Sequence, residues 1–103
     1  MGFFGLFGGG DEVASIEKYL NDGAIVIDVR TVQEFQEGHV ENSKNIVLNV
    51  IPSKIDEIKA MDKKIIAVCR SGARSGQATS FLKQNGVDVI NGGPWQNVAK
   101  FVG

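Results

Sequence analysis

The sequence predicts a single α/β domain, built on a parallel sheet of about four to five strands with helices on both faces. The chain has 103 residues, which is enough for one core. Two short and mainly apolar runs, Ala24–Ile27 and Lys64–Val68, are typical of strands that are buried on both faces. Helix-like patterns separate these runs, and strands that alternate with helices form parallel sheets.

Local signals predict the first elements. We expect Asp11 to cap a helix that the turn at Asn21–Gly23 ends. The run Ala24–Ile27 then forms the first strand. Thr31 and Glu34 match the T-x-x-E capping box, which opens a short helix that ends near Gly38.

The same alternation continues to the end of the chain. Asn45–Leu48 predicts a short strand, and Pro52 suits the first turn of a helix. After the second buried strand comes a helix that stops at Asn85–Gly86. Val87–Ile90 predicts the last strand, and a closing helix is indicated by Trp95, Val98 and Val102.

Composition excludes several classes of protein. Lys and Arg total 11 and Asp and Glu total 12, a formal net charge of -1 that gives no support for bulk nucleic-acid binding. One cysteine excludes an internal disulfide, and one cysteine with one histidine excludes a zinc finger. Because the domain then depends on its core alone, we expect a reducing compartment, the cytoplasm.

The segment Met1–Gly10 reads MGFFGLFGGG and is the one biased stretch of the chain. It lacks the basic start and the cleavage pattern of a signal peptide, and its apolar run is far too short to span a membrane. Leu6 stands where a myristoylation motif needs Ser or Thr. We interpret residues 1–10 as an apolar, glycine-rich arm and residues 11–103 as the domain. The alternative is an arm that contacts a partner or a membrane surface.

The chemistry is expected in the loop after the second buried strand, where a cysteine is followed by small residues and two arginines. Small residues let the loop curl so that its N–H groups point inward, and the next helix adds the positive end of its dipole. Such settings lower a cysteine pKa from about 8.5 to roughly 3.5–7.5 and favour the nucleophilic thiolate. A buried structural cysteine would explain the thiol, but not the arginines or the small-residue loop. The candidate nucleophile is Cys69, and the candidate substrate-binding residues are Arg70, Ser71, Gly72, Ala73 and Arg74.

Three blocks of this chain resemble the rhodaneses, the sulfurtransferase family. They follow one another in the family's order from about Asp11 onward. The blocks are Ile27–Arg30 with Glu34–Phe35 and Gly38–Val40, the active-site loop Val68–Ser75, and Phe81–Leu82 with Gly86–Val87, Gly92–Gly93 and Trp95.

The resemblance implies a rhodanese-like domain and a ping-pong reaction. Cys69 would take a sulfane sulfur from thiosulfate or a persulfide, hold it as a persulfide, and pass it to cyanide, a thiol or a protein. The resemblance implies no metal and no organic cofactor, and neither a nucleic-acid partner nor a transmembrane segment is expected. The alternative is a regulatory module of the same family that binds a protein partner without catalysis, although such modules commonly lack the cysteine.

Loop length separates the chain from related cell-cycle phosphatases. Four residues lie between Cys69 and Arg74, as in sulfurtransferases, and the phosphatases have one more. They also carry His before the cysteine, where this chain has Val68. Phosphatase or arsenate reductase chemistry is therefore disfavoured.

Other polar residues near the motifs have structural expectations. Asp28 and Arg30 end the other central strand and are expected to brace neighbouring loops, with acid–base catalysis as the alternative. His39 is expected to be structural, because sulfur transfer to a thiolate needs no base. Two departures from the family pattern, at Glu41–Ser43 and in the short Gly93-to-Trp95 spacing, predict altered loops near the site.

Overall fold

Helices and strands alternate in the computed structural model, which describes residues 9–102. The helices are α1 (Gly9–Asn21), α2 (Val32–Gln36), α3 (Ile55–Ala60), α4 (Ala73–Gln84) and α5 (Gln96–Ala99), with a 3₁₀ helix over Leu48–Lys54. The strands are β1 (Ile25–Asp28), β2 (Lys44–Asn45), β3 (Ile65–Cys69) and β4 (Val89–Pro94).

The four strands form one parallel sheet in the order β2–β1–β3–β4. The buried strands β1 and β3 lie side by side at its centre, with Ile27 opposite Ala67. Central parallel strands lose contact with water on both faces, which is why both read as apolar runs. The predicted parallel α/β sheet is confirmed.

Helices cover both faces of the sheet, and the core therefore has two layers. Ala67 and Cys69 belong to the cluster packed against α3, α4 and the 3₁₀ helix. Val68 belongs to the cluster on the opposite face, against α1 and α5. Successive side chains of a strand point to opposite faces of the sheet, so the Cys69 side chain lies on the face that α4 covers.

Two predicted helix boundaries are confirmed. Thr31 and Glu34 make both hydrogen bonds of the capping box at the start of α2. Gly86 has φ +83° after α4, the left-handed conformation that a Cβ would disfavour.

The first helix starts at Gly9, before the predicted cap at Asp11. Residues 1–8 of the predicted arm lie outside the described residues, and the arm stays a prediction. Within residues 9–102, no helix has the length and apolar character that crossing a membrane requires.

The prediction of a strand over Asn45–Leu48 is wrong beyond its first residue, since β2 covers only Lys44–Asn45. Backbone hydrogen bonds to the first strand continue after β2, from the Ile46 N–H to the Asp28 carbonyl and from the Leu48 N–H to the Val29 carbonyl, both at 3.0 Å. The extended segment ends there because the 3₁₀ helix begins at Leu48. The Asn45 amide adds a side-chain link, since it donates to the backbone oxygens of Asp28 and Arg30, both at 3.0 Å.

Pro52 does not stand in the first turn of an α-helix. It lies inside the 3₁₀ helix, and α3 begins only at Ile55. Proline lacks the N–H that an α-helix interior needs, which accounts for the division of the predicted helix into two parts. Ile51 and Ile58, one on each side of this division, are both buried in the core.

Strand β4 lies further along the chain than the predicted Val87–Ile90. The N–H of Val87 donates to the Leu82 carbonyl at 3.0 Å in the turn after α4, so the strand starts later. It continues to Pro94 through a register shift that leaves Gly92 without a partner on β3. This extension brings the end of β4 beside the end of β3.

Gly92 occupies a space with no room for a side chain. A Cβ there would lie 2.8 Å from Ile66 Cγ2 and 2.9 Å from Val68 Cγ1. We expect Gly92→Ala to destabilise the fold by about 1–3 kcal/mol through overpacking. Ser80→Ala, at an exposed position of α4, is the control and should change stability by less than about 0.5 kcal/mol. Urea unfolding followed by circular dichroism measures both, and equal stability of Gly92→Ala and wild type would contradict the packing.

Candidate active site

Cys69 ends β3 at the carboxyl edge of the sheet, and the following loop curls around its sulfur. The Gly72 N–H donates to Sγ at 2.9 Å, and the Ser75 hydroxyl lies 3.3 Å from it. Gly72 has φ +105°, a left-handed conformation that glycine adopts readily and that lets the loop turn this tightly. The loop therefore places hydrogen-bond donors around a buried sulfur.

Opposing effects act on the pKa of the Cys69 thiol. Burial raises the pKa, because a thiolate loses hydration inside the protein. Hydrogen bonds from the Ser75 hydroxyl and from the N–H groups of Ser75, Gly72 and Ser71 lower it. The hydrogen bonds prevail and leave the pKa below its ordinary value, which favours the nucleophilic thiolate.

Arg74 turns its guanidinium toward Glu34. Two of its nitrogens donate to the two oxygens of the Glu34 carboxylate, at 2.8 and 3.0 Å. This forked ion pair joins α2 to the first turn of α4 and offsets the charge of Arg74. The sequence predicts Glu34 only as a helix cap, and the structure shows that its carboxylate both caps α2 and pairs with Arg74.

Asp28 and Arg30 form a buried ion pair at the end of β1, with Nη2 and Oδ2 2.7 Å apart. The same guanidinium donates to the Gly38 carbonyl at 2.6 Å and lies 5.2 Å from the ring centre of Trp95. Arg30 therefore links the end of β1 to the loop after α2 and to the segment after β4. These contacts are those of a brace, as expected.

His39 is held by its own neighbourhood. Its Nδ1 lies 2.7 Å from the Phe35 carbonyl oxygen, and its ring stacks on the Phe35 ring with 3.8 Å between centroids. The carbonyl only accepts, so Nδ1 carries the hydrogen and donates. These contacts agree with the expected structural role.

A shallow cleft of about 250 Å³ opens beside the loop. Arg70 is exposed there and, among the residues described, joins no salt bridge, so its charge remains available to a ligand. A larger hollow of about 340 Å³, around Lys63 and Asp88, lies at the other end of the strands, where β3 and β4 begin. The cleft beside the loop is lined by Arg30, Glu34, Glu37, Gly38, Arg70, Trp95 and Gln96.

Asn91 also lies at the site, although it is not among the residues that the sequence predicts there. Its amide oxygen lies 2.6 Å from the Ser75 hydroxyl, and its amide nitrogen donates to the Gly72 carbonyl at 3.2 Å. The available signal was its place near the end of a strand beside β3, since parallel strand ends meet at one edge. Ending the predicted strand at Ile90 hid that signal.

Among the side chains that the structure describes, no three of the types His, Cys, Asp and Glu converge as metal ligands would.

The Glu34–Arg74 pair predicts a specific dependence of stability on pH. Hydrogen bonds from Arg74 and from the Thr31 N–H lower the pKa of Glu34 from 4.5 to about 2. A carboxyl group whose pKa is lowered on folding stabilises the fold at pH values above its pKa in the unfolded chain. This stabilisation is lost as the pH falls through its pKa in the folded protein. We expect wild type to be more stable than Glu34→Gln above about pH 5, with the difference vanishing toward pH 2.

Thermal unfolding between pH 7 and 2 measures this difference. Gln can still accept the capping hydrogen bond, so the comparison removes only the carboxylate charge that Arg74 and the Thr31 N–H stabilise. Glu37→Gln, on the same cleft, is the matched control and should follow wild type. A difference between wild type and Glu34→Gln that does not change with pH would contradict the assignment.

Comparison with known proteins places this geometry in a family. The model of the rhodanese-like domain matches residues 12–95. A protein of Allochromatium vinosum named sulfurtransferase is 34% identical over 65 residues, which cover 63% of this chain and 60% of that protein. The protein YqhL of Bacillus subtilis is 38% identical over 67 residues, which cover 65% of this chain and 52% of that protein. The chain thus matches between about half and three fifths of the length of these two relatives.

The fold agrees with the sequence match. A solved structure described as a rhodanese with anions from Escherichia coli superposes with a TM-score of 0.65 and 30% identity. The superposition covers 74% of this chain and 92% of that one. The family model spans most of the length of this chain, and the chain shares its fold with a rhodanese. The chain therefore belongs to the rhodanese-like domain family.

Proposed function

We propose that this protein is a sulfurtransferase that carries a sulfane sulfur on Cys69. The observation that carries the proposal is the buried sulfur at the end of β3, whose thiol pKa the surrounding donors lower. The name of the Allochromatium vinosum relative supports the reaction class. The Escherichia coli structure is described as a rhodanese with anions, which supports an anionic donor for this family. The cytoplasm stays the expected compartment.

The first half-reaction loads the cysteine. The Cys69 thiolate attacks the outer sulfur of thiosulfate or of a persulfide, and a bond forms between Sγ and that sulfur. The sulfur–sulfur bond of the donor breaks, and its electron pair leaves with sulfite or with the donor thiolate. The negative charge of Cys69 moves to the terminal sulfur of its persulfide, where inward N–H groups stabilise it.

The second half-reaction unloads it. Cyanide or a thiolate attacks the terminal sulfur, the bond between Sγ and that sulfur breaks, and the electron pair returns to Sγ as the thiolate. Neither half-reaction requires a proton transfer at Cys69, in agreement with the structural contacts of His39. Cys69 is the single cysteine of these 103 residues, so no second thiol among them can accept the sulfur.

Different loop residues are assigned to different parts of the sulfur donor. The N–H groups of Ser71, Gly72 and Ser75 hydrogen-bond to Cys69, and we assign them, together with Ala73 of the same loop, to the cradle around the transferred sulfur. Arg70, exposed on the cleft, is assigned to the charged end of the donor. Arg74 contributes a positive charge that its ion pair with Glu34 offsets.

Intact mass tests the carrier role of Cys69. Wild type treated with thiosulfate should gain about the mass of one sulfur atom and lose it with cyanide, as expected of an activated thiolate. Cys69→Ser should show no gain, because a hydroxyl is not ionised at neutral pH. Persulfide donors repeat the test where thiosulfate fails. No gain with either donor would contradict sulfur transfer and favour a regulatory module that binds a protein partner.

Arg70 is tested by its effect on the donor. Arg70→Ala should raise the KM for thiosulfate about three- to ten-fold, the effect of an exposed charge contact, and leave kcat nearly unchanged. Lys83→Ala, at the far end of α4, removes the same charge away from the cleft and is the matched control. Steady-state kinetics at fixed ionic strength measures both. Equal KM values for Arg70→Ala and Lys83→Ala would remove Arg70 from the donor site.

A further inference from the structure

The Ser75 hydroxyl has one hydrogen and two acceptors. Its Oγ lies 2.6 Å from the Asn91 amide oxygen and 3.3 Å from the Cys69 sulfur. Ser75 is fully buried, so exchange with bulk water does not supply a further partner. Only one acceptor can receive the hydrogen at a time, and the shorter distance favours Asn91.

Backbone groups fix the orientation of the Asn91 amide. Its oxygen accepts the Gly93 N–H at 2.9 Å, and its nitrogen donates to the Gly72 carbonyl at 3.2 Å. An N–H only donates and a carbonyl only accepts, so a flipped amide would lose both bonds. The oxygen of Asn91 therefore faces Ser75 in every state of the cysteine.

We propose that Asn91 is a positioning residue that decides whether the Ser75 hydroxyl hydrogen points at the Cys69 sulfur or away from it. With a neutral sulfur, the hydrogen goes to the Asn91 oxygen. When the thiol ionises and its proton leaves to solvent, the hydroxyl turns to the thiolate, where its hydrogen bond is charge-assisted. Asn91 thus competes with the thiolate for one donor.

The competition has a consequence in the loaded state, and this step rests on the proposed function. Once Cys69 carries a sulfane sulfur, the negative charge lies on the terminal sulfur and Sγ is neutral. The Ser75 hydrogen then returns to Asn91, which leaves the terminal sulfur to the loop N–H groups. Asn91 therefore gives the hydroxyl a partner in the states in which Sγ no longer needs it.

The pH dependence of alkylation by iodoacetamide tests the positioning role without any sulfur donor. The chain has one cysteine, so the reaction reports Cys69 alone. Asn91→Ala releases the hydroxyl to the thiolate and should lower the thiol pKa by about half a unit to one unit. In a Ser75→Ala background the same substitution should leave the pKa unchanged, because the contested hydrogen is gone.

Asn97→Ala is the matched control. The Asn97 amide donates to the Gly92 carbonyl at 3.2 Å, so its loss loosens the same segment without touching Ser75. Its thiol pKa should equal that of wild type. The charged groups around the loop, Arg70, the Arg74–Glu34 pair and the Asp28–Arg30 pair, are the same in all these variants.

Two outcomes would overturn the proposal: a pKa that stays or rises in Asn91→Ala, or an equal fall in both backgrounds. Asn91→Val, which lacks the acceptor and suits a strand, replaces Asn91→Ala if that variant unfolds. Because alkylation needs no sulfur transfer, a failure here leaves the mass test of Cys69 untouched. A failed mass test likewise leaves the alkylation result valid.

Discussion

The arrangement of the site depends on the buried ion pair between Asp28 and Arg30. Arg30 is 5% exposed, and its guanidinium also donates to the Gly38 carbonyl and stacks near Trp95. Segments that follow β1, α2 and β4 therefore converge on one fixed charge. A buried pair of this kind is costly to break, by about 3–5 kcal/mol when one partner is lost. This cluster therefore fixes the walls of the cleft beside the loop that holds Cys69.

The loop acts on Cys69 by placing hydrogen-bond donors around its sulfur. The N–H groups and the Ser75 hydroxyl oppose the effect of burial on Cys69 and leave its pKa lowered. The two arginines of the loop differ in their available charge. Arg74 is paired with Glu34, whereas Arg70 is exposed on the cleft. The site is therefore less cationic than the count of arginines suggests.

Local signals predicted much of the fold because their causes are local. The apolar runs predicted β1 and β3, and the capping box at Thr31 and the glycine at Gly86 predicted helix ends. Two boundaries were wrong for different reasons. Pro52 divides the predicted helix through a local cause, its missing N–H. Strand β4 extends to Pro94 because it pairs with β3 through a register shift, which is a distant contact.

The sequence by itself determined the α/β class, the place of Cys69 at a strand end, and the small-residue loop that follows it. Strand period and loop composition suffice for these features, because they act over a few residues. Only the tertiary structure decided that Arg74 pairs with Glu34 and that Asn91 reaches Ser75. These contacts join residues 40 and 16 positions apart. The sheet brings them together, because α2 and α4 follow the neighbouring strands β1 and β3, and β4 pairs with β3. No local pattern encodes that proximity.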